Sequence, residues 1–291
     1  MKIRRVRDSS CSQGSRLDIV DGAADAAVPD WLRELAPSAA AEGGAMLPFQ
    51  PRSFRDCMLF EQHWVQASRG FARRFMPAAF RFTQLYERFV QSPFPAFRPP
   101  ALSTRQPIYY FSNHLTIVPG DTPVKYPDHT QAFDYELELG IVLAKPLFNA
   151  SPVQALEAIG GFVVLNDFSA RDIQRPEMQS GFGPQKCKHF LSSISQTLTT
   201  ADEVLPRIDA LTATVQMNGE LISTTSTAGM RYSLGDLLAF LSRAEPLFPG
   251  ELIGTGTLPG GCGMETGRLL ERGDVLRLAI EGVGELSHTI I

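Results

Sequence analysis

Two glutamates two residues apart open the chemistry of this chain: Glu136 and Glu138, in DYELEL at residues 134–139. Alternation at period two puts both carboxylates on one face, with Tyr135, Leu137 and Leu139 on the other. Two like charges gathered in this way repel, so either water or a bound cation should face them. Asp167 ends the apolar run GFVVLND, beside the turn-like FSARD, where a third carboxylate can swing toward the same point. Oxygen ligands of this kind favour Mg2+, Mn2+ or Ca2+ over zinc, for which cysteine or histidine is expected. The bland alternative for the glutamate pair is a solvent-facing edge strand.

RDCMLFEQH adds Asp56 and His63. Seven residues apart on a predicted helix, they point from one side. One reading makes Asp56 a cap or ion-pair partner and His63 a packed histidine. The other makes Asp56 a fourth oxygen ligand and His63 a base, since imidazole titrates near neutrality and metal-bound water is more acidic than bulk water. Further candidates stay open in the same way. Lys188 lies in QKCKHF beside the equally plausible Lys186. Arg171 and Gln174 follow Asp167 as turn residues or as partners that fix it. Glu265 follows GGCGM, and Thr257 sits in GTGT.

These residues need elements to carry them. Residues 1–50, including the Ala/Gly-rich SAAAEGGAM, read as a weakly packed lead-in or small subdomain. Residues 51–104 read as a helical segment carrying Asp56 and His63: a helix from a Ser53 cap to Gly70, then a second in RFTQLYERFVQ, closed by the prolines of SPFPAFRPP. From residue 105 to 291 the periodicity shortens. PIYYF, DYELELGIVLA and GFVVLN are strand-like, LTATVQMNGELI is a hairpin turning at Asn218-Gly219, and GDVLRLAIEGVGELSHTI is another. Ser233 caps a helix, with Asp236 at its third position ahead of LLAFL. Regular βα alternation is missing, which argues for a mostly β, α+β body with inserted helices.

The 291 residues, 44% apolar with a formal net charge of −4, carry no strong basic field, so nucleic acid is not an expected partner. The start, MKIRRVRDSSCSQGS, has no apolar stretch of the secretory kind, and no run of about 18 apolar residues suggests a membrane span. Cys11, Cys57, Cys187 and Cys262 form no CxxC pair, which fits a reduced cytoplasmic protein.

RDCMLFEQH, DYELELGIVLAK, NDFSARDIQ, GPQKCKHF, GTGTLPGGCGME and RGDVLRLAIEGVGEL, in this order, resemble the fumarylacetoacetate hydrolase family and cover most of the chain from residue 55 onward. The resemblance implies a catalytic domain over 105–291 with a fumarylacetoacetase C-terminal-like fold: a mixed β-sandwich or roll with peripheral helices, usually a homodimer. It implies Asp56, Glu136, Glu138 and Asp167 as ligands of Mg2+, alternatively Ca2+ or Mn2+. It makes His63 the general base, Glu265 the carboxylate that orients it, and Lys188 and Gln174 stabilisers of developing negative charge. Thr257 matches a residue lining the substrate site, which Tyr109 or Tyr135 borders. The implied substrate is a β-diketo acid or related dicarbonyl, fumarylacetoacetate-like or acylpyruvate-like, hydrolysed at a carbon–carbon bond.

Three departures reshape the expected pocket. The loop YYFSNHLTIVPGD lacks the arginine that the family's namesake uses for substrate contact. Met178 stands where a tyrosine is expected, trading a hydroxyl for an adaptable apolar surface. LSSISQTLTT replaces a Gly-Pro segment. A less polar or bulkier dicarbonyl follows. Two other functions remain in view: a decarboxylase or isomerase of a β-keto or diketo acid on the same scaffold, and a catalytically idle metal- and ligand-binding protein.

Overall fold

The computed structural model describes residues 1–11, 14–35 and 44–291, so most of SAAAEGGAM lies outside the described residues. The strands are β1 (Lys2–Arg7), β2 (Ser15–Asp21), β3 (Phe54–Cys57), β4 (Tyr109–Ser112), β5 (Ile117–Pro119), β6 (Phe133–Asp134), β7 (Leu137–Leu143), β8 (Ile159–Asn166), β9 (Ser169–Ala170), β10 (Ser192–Ile194), β11 (Thr197–Thr200), β12 (Thr212–Met217), β13 (Glu220–Ser226), β14 (Leu252–Gly254), β15 (Val275–Ile280) and β16 (Gly284–Thr289). The helices are α1 (Asp30–Arg33), α2 (Glu61–Phe75), α3 (Pro77–Val90), α4 (Pro152–Leu156), α5 (Arg171–Gln179), α6 (Ala201–Val204), α7 (Leu234–Leu241) and α8 (Gly263–Thr266).

A mixed sheet forms the body, in the order β2-β1-β11-β8-β7-β14-β3-β4, with β10 also pairing β8 and β5. A second sheet, β13-β12-β15-β16, packs on one of its faces. Alternation along β7 divides the interior. Leu137, Leu139, Ile141 and Leu143 join a large cluster with Val215, Met217, Leu276 and Leu278 of the second sheet. Val142 faces the other way, into a smaller cluster with Val163, Leu165, Phe54, Leu252, Ile3, Leu32 and Phe49. Both faces of β7 are therefore packed, and all its residues are buried.

That parity positions the chemistry. Glu138 shares Val142's face of β7, and Asp167 continues the alternation of Val163 and Leu165 just past β8. Phe54 and Leu252 lie on the same side, followed two residues later by Asp56 and Gly254. The strands pair with Glu138 opposite Leu165, Gly254 beside Asp56, and Asp56 opposite Tyr110. Acidic side chains from three strands thus leave one face together at one end of the smaller cluster.

Asp56 is not on a helix; it lies in β3, between parallel β14 and antiparallel β4, and α2 starts only at Glu61. Phe54, Arg55, Asp56 and Cys57 are all buried, and two flanking strands satisfy their backbone, which outweighs helical propensity. Ser53 does not cap a helix: its hydroxyl donates to Glu251 Oε2 at 2.8 Å. The second predicted helix is α3. The Asn218-Gly219 turn has φ of 55° and 82°, as a two-residue hairpin of this type requires. The Ser233 Oγ accepts from the Asp236 N–H at 3.1 Å, as expected of its cap. The segment LSSISQTLTT is sheet, supplying β10 and β11.

Candidate active site

Asp56, Glu136, Glu138 and Asp167 converge, none more than 5% exposed. Glu136 leads into β7, its backbone bridged to Cys262. Two buried cations face this group. Lys188 Nζ donates to Asp167 Oδ2 at 2.7 Å and to Glu136 Oε2. Arg171, at the start of α5, donates from Nη2 to Glu136 Oε1 at 2.6 Å and from Nε to Asp134 Oδ2 at 2.7 Å. The Tyr110 hydroxyl lies 2.8 Å from Asp56 Oδ2 and 2.6 Å from Asp167 Oδ2, and Ser192 Oγ donates to Asp167 Oδ1 at 3.0 Å.

Charge is distributed unevenly. Burial works to raise the Glu136 carboxyl, but Arg171, Lys188 and His63 outweigh it and hold the group well below its ordinary value. Burial, then the Asp167 charge, pushes Asp56 up to about 7. Burial, then Asp56 and Glu136, pushes Glu138 well above the usual carboxylate range. Glu138 Oε2 accepts the Gly256 N–H at 3.1 Å, whereas Asp56 Oδ1 and Glu138 Oε1 are buried without a hydrogen-bond partner. A Cβ on Gly254 would lie 2.7 Å from Glu138 Oε2 and 2.8 Å from Asp56 Oδ1, so only glycine leaves this space open. Orphaned buried acidic oxygens around a kept space fit a hard divalent cation.

Beside the cage stands a base pair of residues. His63, in the first turn of α2, has Nδ1 3.1 Å from Glu265 Oε2 and Nε2 3.8 Å from Glu136 Oε1. The ring N–H is not aligned on Glu265. Gly70 makes the approach of helices feasible: a Cβ there would lie 1.8 Å from Met264 O, so any side chain would push α2 off α8. Asp134 fixes the other partner. It accepts the N–H groups of Gly263 at 2.7 Å and Met264 at 3.0 Å, directly ahead of Glu265. Cys262 Sγ donates to Glu265 Oε2 at 3.3 Å, its thiol pushed well above the ordinary value by burial, then by Glu265 and Asp134.

The structure separates the remaining candidates. Lys188 is buried against the carboxylates and Lys186 is exposed. Gln174 is tied to the site through Arg171, whose Nη1 donates to its Oε1 at 3.0 Å. Thr257 is buried in the loop after β14, one residue past the Gly256 contact to Glu138. Met178 is 43% exposed on α5. Tyr135 is fully enclosed in the large cluster, its hydroxyl 3.5 Å from Thr266 Oγ1, on the side of the chain opposite Glu136. Tyr109 turns toward Phe111, in a T-shaped ring contact. It is the next residue, Tyr110, that reaches the carboxylates, since neighbours on a strand face opposite ways. Tyr110, Asp134 and Ser192 are thus site residues that the sequence reading omits; the register of β3 against β4 places the first, and nothing local marks it.

Comparison with known proteins agrees with this architecture. The family model described as fumarylacetoacetate (FAA) hydrolase C-terminal matches residues 84–291. A mitochondrial oxaloacetate tautomerase of Xenopus laevis is 29% identical over 188 residues, 64% of this chain and 59% of that protein. An Escherichia coli homoprotocatechuate catabolism bifunctional isomerase/decarboxylase is 29% identical over 199 residues, 67% of this chain and 42% of that protein. The first curated relatives, from Burkholderia, are matched over 64% and 66% of their length, so the chain spans less than two thirds of them. Among solved structures, fumarylpyruvate hydrolase from Pseudomonas aeruginosa, in complex with Mn2+ and pyruvate, superposes with a TM-score of 0.63 at 24% identity, covering 88% of this chain and 96% of that one; this likeness shows the fold. No described helix is long and apolar enough to cross a membrane.

Proposed function

The chain belongs to the fumarylacetoacetate hydrolase family, and from that premise we propose that it hydrolyses a carbon–carbon bond in a β-diketo acid or related dicarbonyl, with a divalent metal, Mg2+ in first place and Ca2+ or Mn2+ as alternatives. The observation that carries this reading is the imidazole of His63, backed by Glu265, standing beside a buried carboxylate cage that keeps two acidic oxygens unpartnered. Asp56, Glu136, Glu138 and Asp167 would hold the cation. Bound there, it would supply Lewis-acid polarisation of the dicarbonyl oxygens and counter-charge for the departing fragment.

The chain's own residues do the rest. His63 Nε2 takes a proton from water as the water oxygen bonds to the scissile carbonyl carbon. Glu265 at Nδ1 orients the ring and stabilises the imidazolium. When the carbon–carbon bond breaks, its electron pair passes to the carbon beside the retained carbonyl, and the imidazolium returns the proton there. Burial favours a neutral Lys188, but Asp167 and Glu136 outweigh it and hold the group well above its ordinary value, so it stays an ammonium facing the developing charge. Arg171 positions Glu136 and Gln174 together. The working unit is proposed as a cytoplasmic homodimer.

The relatives named as tautomerase and as isomerase/decarboxylase favour a second reading, enolisation or decarboxylation of a keto acid on the same scaffold. That chemistry has no need of a water-activating base, which gives His63 and Glu265 less to do. The experiment is product analysis by mass, with an acylpyruvate and Mg2+ in 18O-labelled water. Hydrolysis gives two carboxyl-bearing fragments, one labelled, and chelation stops it. Released carbon dioxide or an unlabelled isomer assigns the chain to the second reading, and binding without turnover makes it a catalytically idle member.

A further inference from the structure

Around His63, next to Glu136 of the oxygen cage, a different set of donor atoms meets. His63, Cys262 and Glu265 each bring one ligand atom to a common point, all within 4.8 Å of one another. Glu265 Oε2 is shared: it lies 3.1 Å from His63 Nδ1 and 3.3 Å from Cys262 Sγ. Two further facts point to a ligand. His63 Nδ1 and Glu265 Oε1 are both buried without an aligned hydrogen-bond partner, and the Glu265 side chain is only 2% exposed. Such atoms are costly unless something satisfies them. A cavity of about 330 Å3, lined by Gln66, Arg69, Arg73 and Phe80, also touches Glu265.

The donor chemistry differs from that of the cage. An imidazole nitrogen, a thiol sulfur and one carboxylate oxygen suit a borderline-soft tetrahedral ion and not Mg2+ or Ca2+. We propose that His63, Cys262 and Glu265 form a second metal site, which takes Zn2+ or a similar transition ion with one solvent ligand and is separate from the four-carboxylate cage. On binding, the Cys262 thiol proton is released to solvent; Sγ, Nδ1 and a Glu265 oxygen each donate a lone pair, and nothing is oxidised. His63 uses opposite ring atoms for the two roles: Nε2 faces Glu136 and Nδ1 faces Glu265. Occupancy of the second site therefore withdraws Nδ1 and Glu265 from support of the base. This inhibitory consequence rests on the hydrolase reading; the site itself does not.

The test uses Co2+ as a spectroscopic probe, titrated into the full chain already saturated with Mg2+. The expected result is a near-ultraviolet thiolate-to-cobalt absorption with tetrahedral visible bands, lost in Cys262→Ser, retained in Cys11→Ser and displaced by Zn2+. Absence of a thiolate band in the wild-type protein, or a band that Cys262→Ser leaves intact, overturns the site. Because the wild-type spectrum alone can refute it, misfolding of a variant does not rescue the idea. In a second arm, Zn2+ lowers acylpyruvate turnover by roughly a hundredfold, the scale of losing a general base, and does so less in Cys262→Ser relative to its own zinc-free rate. A cobalt band without inhibition removes the inhibitory role. If no protein turns over an acylpyruvate, the hydrolase reading fails and the cobalt spectrum still decides the site.

Discussion

Glu136 and Asp167 share a cage with Asp56 and Glu138, yet the fold treats the two pairs differently. The first pair is neutralised by Lys188, Arg171 and hydroxyl donors. The second makes no hydrogen bond to a cationic side chain among the described residues and feels only the nearby Lys188 charge at Asp56; it has one backbone N–H, one tyrosine hydroxyl, the mutual contact of Asp56 with Glu138, and two oxygens with no other partner. The first half is balanced by cationic side chains, whereas burial holds the second above the ordinary carboxylate range, where a proton or, on the proposed function, a metal ion would complete it. The stability of the fold and its affinity for metal should therefore respond to different substitutions.

The largest effect is expected just outside the cage. His63→Ala lowers turnover by about 10²–10⁴-fold while calorimetry shows metal affinity retained, because the imidazole is a base and not a cage ligand. Loss of metal together with turnover would place His63 inside the cage and break the comparison. Within the neutralised half, Lys188→Met leaves Glu136 and Asp167 facing each other with less counter-charge, at a cost of about 3–5 kcal/mol in urea unfolding. In the other half, Glu138→Gln removes a carboxylate that the fold keeps above its ordinary range, so metal-free stability holds or rises. The cost falls on metal binding, and the stabilisation of about 2.7 kcal/mol expected at a hundredfold excess of metal over Kd disappears.

The remaining effect is a slope. Asp56 has its folded pKa raised to about 7, above its unfolded value near 4. Between those values the folded state holds the proton that the unfolded state has lost, so stability falls as pH rises. Metal-free wild-type protein should lose stability relative to Asp56→Asn from about pH 4 to about pH 7, measured by urea midpoints. A rising difference would mean that Asp56 is stabilised as a carboxylate and that the cage has counter-charge to spare.

Much of this site is legible in the linear chain. Period two alone places Glu136 and Glu138 on one side, and the apolar run before Asp167 announces a buried strand that ends in an acid. The β-rich body with inserted helices follows from strand patterns without βα alternation. Other features depend on pairing between distant segments. RDC looks helical beside EQHWVQAS until β14 and β4 flank it, so Asp56 and His63 reach the site from a strand and a helix, and not from two turns of one helix. Lys186 and Lys188 are equivalent as letters and differ only in burial. Tyr110 replaces Tyr109 because register decides which of two adjacent tyrosines faces Asp56. Asp134 is invisible as a site residue because its work is done on the backbone N–H groups of Gly263 and Met264, 129 and 130 residues away. The first fifty residues show little periodicity, yet Ile3, Leu32 and Phe49 help close the smaller cluster over the sheet.

The most direct test is anomalous diffraction from crystals grown with Mn2+. The account predicts one strong peak bounded by carboxylate oxygens of Asp56, Glu136, Glu138 and Asp167, lost in Glu138→Gln. A well-ordered cage with no peak, and Lys188 still bridging Glu136 and Asp167, would contradict it.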